Sequence, residues 1–381
     1  MKTPFFTYSL GLLNETLKAV NSASINRGFK VHYAVKANFN PQILGLIQRQ
    51  GLGADCVSGG EIQWALEAGF KAKDIVFAGV GKTDEEIEYA ISNGIGMIHC
   101  EGLQEICSVN AIAKKHHKKI EVALRLNPNI NANTHAKITT GLSENKFGFS
   151  EIEFNKLIDK KHDLCHLNIV GLHFHIGSQI RDMNIFKMLC EKINAYSILF
   201  EDQFNDMTYL NVGGGLGINY DSPDSEPIPD FETYFSVFES TLSCKTNNIH
   251  FELGRSIVAQ CGQLHTKVLY IKESETKTFG IVDAGMTELL RPALYDAYHQ
   301  ISYNGIAFKD DLQPYDIVGP ICETSDCLGK AHMLPELKRG DVLVIKSCGA
   351  YAESMRLQYN GRGQSHAICY SPEMEIVDST E

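Results

Sequence analysis

Five short stretches of the chain carry residues able to do chemistry. Lys36 is a lone cation on an apolar run, YAVKAN (33–38). An ammonium in a desolvated site has a lowered pKa and can form a Schiff base with a carbonyl; its plainer role is an ion pair to a carboxylate. VGGGLG (212–217) sets Gly213, Gly214 and Gly215 side by side. That stretch can be a tight turn, and it can also let backbone N–H groups close on an anion such as a phosphate. Arg255, in ELGR (252–255), is a fixed cation able to reach the same phosphate. Lysine, glycines and arginine together suggest pyridoxal 5′-phosphate. Glu252 then has a meaning beyond a salt bridge to Arg255. A carboxylate at the pyridine nitrogen keeps it protonated, so that the ring can take up the electrons of a carbanion. His173 and His175, two apart in LHFHIG, share one face of a strand. Such a pair can bind a metal, but the other carboxylate and histidine ligands are not evident on neighbouring strands, and no metal is expected. His175 is read as stacking on the cofactor ring, and His173 is left without a role. PICETSD (320–326) sets Cys322 beside Glu323. A redox pair with Cys327, a metal corner and an acid for a substrate are all open from its spacing.

Those residues need elements to position them, and the pattern of the chain supplies a set. Short β-rich apolar runs recur as VHYAVKA (31–37), ADCVSG (54–59), IVFAG (75–79), GMIHC (96–100), EVALRLN (121–127), IVGLHFHIG (169–177), YLNVGGG (209–215) and HFELG (250–254). Helical patterns such as PQILGLIQRQ, EIQWALEAG and DEEIEYAISNG lie between them, each stopping near a glycine. Eight strands alternating with seven such intervals predict an α/β fold of the (β/α)8 TIM-barrel type, with near-continuous apolar strands because both faces are covered. A doubly wound open sheet is the alternative.

In such a barrel the active groups stand where strands end and the next loops begin. Those positions carry Lys36, Asp55 with Ser58, Arg125 with Asn127, His173 with His175, Gly213–Gly215, and Glu252 with Arg255. After residue 262 the runs TKVLYIKES, KTFGIVDAGM, GDVLVIKSC and SHAICYSP alternate with turns, with one short helical signal in TELLRPALYDAY. The expected organisation is a barrel over 9–262 and a mostly antiparallel C-terminal β-barrel or sandwich over 263–381. Residues 1–8 are placed to add a strand to the latter.

Composition removes other classes. The 381 residues are 44% hydrophobic and 21% charged, with a net charge of −11 and no long basic run, which speaks against nucleic acid or an anionic membrane as partner. No apolar stretch reaches the roughly 18 residues of a membrane helix, and the first residues are too weakly apolar for a signal peptide. Eleven cysteines without CxxC pairs read as reduced, buried thiols of a cytoplasmic protein rather than a disulfide framework.

The blocks TPFFTY, YAVKAN, SGGE, RLNP, TGLSENKFG, GLHFHIGSQ, NVGGGLGINY, ELGR, VDAGMTELLRPALYDAYH, VGPICETSD and GAYAESMRLQYNGR run nearly end to end. By them the chain resembles the diaminopimelate decarboxylase family, within the alanine-racemase-like fold class of pyridoxal-phosphate enzymes. One departure is Leu253, where that family usually has proline; only a local backbone adjustment is expected of it. The resemblance implies a head-to-tail homodimer with active sites at the interface. It implies that Lys36 holds the cofactor, Asp55 supports the lysine end and His175 stacks on the ring. Ser178, Gly213, Gly214, Gly215, Gly254 and Arg255 would bind the phosphate end, Glu252 the pyridine nitrogen, and Tyr351 would lie against the cofactor. Arg255, Arg291, Tyr295, Glu323 and Tyr351 would hold the substrate.

The substrate so implied is meso-2,6-diaminopimelate, losing CO2 at its D-centre to give L-lysine in the last step of lysine biosynthesis. Its far end keeps a carboxylate and an ammonium. Arg291 and Tyr295, four apart, share a helix face or turn, and Arg291 can clamp a carboxylate bidentately while Glu323 takes the ammonium. The carbanion left behind needs a general acid, and Cys322, with an ordinary pKa of about 8.5, is the candidate, supplied by the partner subunit. Decarboxylation of ornithine, arginine or carboxynorspermidine is the nearest alternative; ornithine and arginine lack the distal carboxylate and have no use for Arg291. An alanine racemase would place arginine at the pyridine nitrogen, a non-catalytic pyridoxal-phosphate carrier would lack the β domain, and a metal-dependent barrel hydrolase would need more ligands.

Overall fold

The computed structural model describes residues 2–130, 146–304, 311–363 and 365–371. Two compact units divide the chain: Leu17–Gly217 with Asp230–Gly254, and Met1–Thr16, Ile218–Pro229 and Arg255–Glu381. Strand β1 (Phe5–Ser9) belongs to the second of these.

The first unit is a closed barrel of eight parallel strands: β2 (Lys30–Ala34), β3 (Gly53–Cys56), β4 (Ile75–Phe77), β5 (Met97–Cys100), β6 (Ile120–Arg125), β7 (Leu167–His173), β8 (Tyr209–Asn211) and β9 (Ile249–Leu253). All eight expected strands are present. Several stop earlier than the apolar runs that announced them, so Lys36, His175 and Gly213–Gly215 stand just beyond strand ends.

Between successive strands run the helices Pro41–Arg49, Gly59–Glu67, Asp84–Asn93, Leu103–Lys115, Glu151–Lys160, Met183–Gln203 and Phe231–Thr241. Most start where a short polar side chain can accept a first-turn N–H: Asn40, Ser58, Thr83, Ser150, Asp182 and Asp230 each do so. Each cap is worth about 1 kcal/mol.

Period-2 alternation decides what each strand presents to the two faces. On β9, Phe251 packs on Phe29, Tyr234, Phe235 and Phe238, the last three from the helix Phe231–Thr241. Leu253 shares the parity of Phe251 and is buried, while Glu252 takes the opposite side. Inside the barrel, Val76, Met97, Ala123, Val170 and Tyr209 form an apolar cluster. Two residues further along β5 and β8 come the buried polar side chains His99 and Asn211, with His173 closing β7. The barrel interior therefore turns polar toward the C-terminal ends of its strands.

The second unit contains β10 (Gly262–Glu273), β11 (Thr278–Val282), β12 (Ile301–Tyr303), β13 (Gln313–Val318), β14 (Cys327–Leu334), β15 (Val342–Ile345) and β16 (His366–Tyr370). They line up as β12-β15-β10-β11-β13-β14, mostly antiparallel. β1 adds to β10 antiparallel, Phe5 opposite His265, and to β16 parallel, Phe5 opposite His366. One helical turn, Arg291–Tyr295, interrupts the β pattern and sets its first and last residues over each other.

Candidate active site

Lys36 leaves β2 on a single 3₁₀ turn, Val35–Ala37, whose other two residues are buried. Its Nζ donates to Oδ2 of Asp55 at 2.6 Å; Asp55 is fully buried, while the lysine side chain keeps 34% of its surface exposed. Burial and then the charge of Glu252 push the Asp55 carboxyl above its ordinary range, and Lys36 opposes both. Asp55 Oδ1 has no hydrogen-bond partner among the described residues.

Across the mouth, the loops after β7 and β8 are laced together. Ile180 donates its N–H to Gly215 O and accepts from Gly217 N–H, both at 2.9 Å. Ser178 lies on the first of these loops and is half-buried, as is His175. Gly214 N–H donates to His175 Nδ1 at 3.3 Å, which leaves the ring proton on Nε2. Burial, then the charges of Arg125 and Lys36, hold this imidazole well below its ordinary pKa, so it is neutral.

Gly213 and Gly215 have φ of 74° and 108°, and a Cβ on Gly214 would stand 1.8 Å from the carbonyl oxygen of Glu252. The triple glycine is therefore required by the packing of its own turn. Gly213 N–H donates to Asn211 Oδ1 at 2.9 Å. The N–H of Gly215 makes no hydrogen bond among the described residues.

Glu252, buried on β9, accepts from Asn211 Nδ2 at 2.9 Å and lies 3.2 Å from His173 Nε2 and 3.4 Å from His99 Nδ1. The expectation that no further histidine and carboxylate accompany His173 is thus corrected. One potential metal-ligand atom from each of His99, His173 and Glu252 lies within 4.8 Å of the others. The reason is barrel geometry: β5, β7 and β9 are alternate strands, and alternate strands fill one layer. Burial, above all, drives both histidines well below their ordinary pKa, and it raises that of Glu252 against the pull of Lys36 and Arg125.

Other predicted residues belong to the second unit. Arg255 is buried at the start of the short helix Arg255–Val258. Its Nη1 donates to Tyr220 Oη at 2.8 Å, and its guanidinium lies 4.8 Å from the centre of the Tyr351 ring. Tyr351 itself has φ of 56°, a left-handed conformation uncommon for a side chain of its size. The guanidinium of Arg291 covers the Tyr220 ring at 4.5 Å, and its Nη1 donates to His299 Nε2 at 2.6 Å. His299 in turn gives its Nδ1 proton to Lys346 O at 2.9 Å. Arg291 is buried, its Nε has no hydrogen-bond partner, and no carboxylate stands within ion-pair distance of it among the described residues. Tyr295 is half-buried on the same turn.

Cys322 and Glu323 are exposed on a turn that its own last residue organises. Asp326 accepts the N–H groups of Ile321 at 2.7 Å and Met286 at 2.6 Å. Cys322 N–H reaches Asn360 Oδ1 at 2.9 Å, and Glu323 Oε1 accepts from Tyr359 Oη at 2.9 Å. All eleven cysteines are unpaired, Cys322 and Cys327 included; Cys165 joins Cys322 as exposed, against the expectation of buried thiols. Of TGLSENKFG, all but the last three residues lie outside the described residues.

Residues 10–259 match the family described as "Pyridoxal-dependent decarboxylase, pyridoxal binding domain". The chain belongs to the pyridoxal-dependent decarboxylases. Within them it is 47% identical to the diaminopimelate decarboxylase of Bacteroides thetaiotaomicron, over 95% of this chain and 94% of that one. The crystal structure of diaminopimelate decarboxylase from Helicobacter pylori complexed with L-lysine superposes with a TM-score of 0.88 at 39% identity, covering 97% of this chain and 92% of the other. The crystal structure of diaminopimelate decarboxylase from m. jannaschi superposes with a TM-score of 0.89 at 34% identity, covering 98% of this chain and 88% of the other.

The residues of this decarboxylase fit the cofactor. A part-exposed amine, a buried carboxylate with an unused oxygen beside it, and a second buried carboxylate held by neutral donors match an aldehyde carbon and a ring N–H⁺. Sequence reading passed over His99, Tyr209, Asn211, Tyr220 and His299. Polar side chains at period-2 positions of buried strands, as in MIHC and YLN, were the available signal for the first three.

Proposed function

We propose that the chain decarboxylates meso-2,6-diaminopimelate at its D-centre, with pyridoxal 5′-phosphate, to L-lysine and CO2. What carries this reading is Arg291, a buried guanidinium that has no carboxylate partner among the described residues. Leaving such a cation unpaired is costly unless a ligand supplies the anion, and diaminopimelate has a second carboxylate where ornithine and arginine have none. The relative that holds L-lysine supports the same reading.

When bound, pyridoxal 5′-phosphate supplies a carbonyl for an amine and a ring that withdraws the electron pair of the breaking carbon–carbon bond. Lys36 holds the carbonyl end, and Asp55 orients its amine. Neutral His175 covers the ring face without adding charge. Ser178, Gly213, Gly214, Gly215, Gly254 and Arg255 bind the phosphate. Glu252 keeps the ring nitrogen protonated. Tyr351 lies against the cofactor and, with Arg255, Arg291, Tyr295 and Glu323, fixes the far end of the substrate; the carboxylate falls to Arg291 and the ammonium to Glu323. Cys322, from the partner of a homodimer, delivers a proton from Sγ to the substrate carbon after CO2 leaves. We place the enzyme in the cytoplasm; among the described residues no helix is long and apolar enough to cross a membrane.

CO2 release from meso-diaminopimelate, ornithine, arginine and carboxynorspermidine, with and without added cofactor, tests the reading. Diaminopimelate is expected to be preferred by at least about a hundredfold, the value of a charge-assisted contact near 3 kcal/mol. Equal turnover of ornithine would sink it.

A further inference from the structure

Four buried polar side chains surround Glu252, His173 among them. Their hydrogen bonds fit the following arrangement of protons. Asn211 accepts the Gly213 N–H through Oδ1, so both its donors are on Nδ2. One reaches Glu252 Oε1 at 2.9 Å and the other Tyr209 Oη at 3.2 Å. Tyr209, accepting from Asn211, has its own proton free to give to His99 Nε2, 3.0 Å away. His99 then keeps its single proton on Nδ1, which faces Glu252 Oε1 at 3.4 Å. A carboxylate can only accept, so His173 turns a protonated Nε2 to Glu252 Oε2 at 3.2 Å, its ring stacked on His99 with centroids 4.0 Å apart. Burial keeps both rings neutral. Two neutral donors, Asn211 and His173, thus hydrogen-bond one carboxylate, with His99 Nδ1 facing it at 3.4 Å without a hydrogen bond of its own among the described residues.

We propose that His99, His173, Tyr209 and Asn211 are positioning residues that hold Glu252 as a fixed carboxylate for the ring nitrogen of the cofactor. The proposal rests on the reading of Glu252 given above. Donors that bond to the charged form favour it, which offsets the desolvation of a buried acid. Because none of the four is itself a cation, the negative charge is not spent inside the barrel and stays available to a protonated ring nitrogen. The glycine turn enters the same circuit, since Gly213 N–H sets which end of Asn211 is the donor.

The test uses holoenzyme loaded with pyridoxal 5′-phosphate labelled with ¹⁵N in the ring, read by NMR, beside kcat and KM for diaminopimelate. Tyr209→Phe opens the circuit at its centre, and His173→Phe removes the donor to Oε2. Each is expected to move the ring resonance toward the unprotonated position and to lower kcat about tenfold, with KM changed by less than about twofold, the effect of one hydrogen bond lost in the transition state. His173→Gln, which restores an N–H donor, is expected to recover much of both. Loss of activity with the wild-type resonance in both Phe variants overturns the proposal, as does a stoichiometric divalent ion bound by His99, His173 and Glu252 in the purified holoenzyme. Glu252→Gln separates the two levels. If it keeps the protonated resonance, the reading of Glu252 fails; if it loses that resonance while both Phe variants keep it, only the positioning circuit fails. Should Tyr209→Phe not fold, the two His173 variants carry the test alone.

Discussion

Asp55 presses a fully buried carboxylate against a lysine that is one-third exposed, so the charge state of each depends on the other. Lys36→Ala is expected to abolish both decarboxylation and the visible absorbance band of the bound cofactor; survival of the band would contradict its role. Glu61, nearby in SGGE, is a second buried acid. Its Oε2 accepts Val57 N–H at 2.7 Å, and burial, opposed by Lys36 and that N–H, raises its pKa from 4.5 to about 7. A carboxyl whose pKa is raised on folding binds more protons in the native state than in the unfolded one. Stability from this group is therefore full below pH 4.5 and is lost as pH climbs through 7, by roughly 3 kcal/mol at most. Glu61→Gln should flatten the fall in Tm between pH 5 and 8; an unchanged slope would remove Glu61 as its source. Such groups show how far residues were legible. Lys36, Glu252 and Arg255 stood out as charges on apolar runs. Glu61 looked like any polar residue on an amphipathic helix, because its burial comes from the turn before it.

At the scale of elements, strand order was readable because the apolar runs and glycine stops alternate without a break. Less readable were the links between elements. Glu86 is one. Its Oε2 accepts the N–H of Thr83, closing a capping box, while its Oε1 accepts the N–H of Gly59 at the head of the previous helix, at 3.0 and 2.8 Å. One carboxylate thus serves the N-termini of the helices Gly59–Glu67 and Asp84–Asn93. Thr83→Ala removes one acceptor and should cost about 1 kcal/mol; Glu86→Ala strands two donors and should cost about 2 kcal/mol. Urea denaturation can rank the pair, and equal losses would mean that the Gly59 bond contributes nothing. The box joins residues three apart, but its second partner is remote, and no periodicity relates Glu86 to Gly59. The same limit hid the Tyr209–His99 bond, which joins β8 to β5.

For the molecule as a whole, the assembly of the site is testable by mixing subunits. If Cys322 serves a neighbour's cofactor site, inactive Lys36→Ala and Cys322→Ala chains should regain about a quarter of wild-type activity on mixing. Half of randomly paired dimers are mixed, and each then holds one intact site. No recovery, with exchange verified by native mass spectrometry, would place Cys322 in its own chain's site or in none. The cysteine's role was raised by the sequence only as a possibility, since chemistry between subunits leaves no spacing to read. A last consequence follows from β1, whose partners are β10 and β16. During synthesis Phe5–Ser9 is made early, yet the residues it pairs with, from Gly262 and from His366 onward, are made only after the last barrel strand. The opening strand waits unpaired until β10 is made, and its second partner comes only with β16. Release of nascent chains stalled before and after residue 366 should therefore differ in protease resistance near β1, not in the barrel.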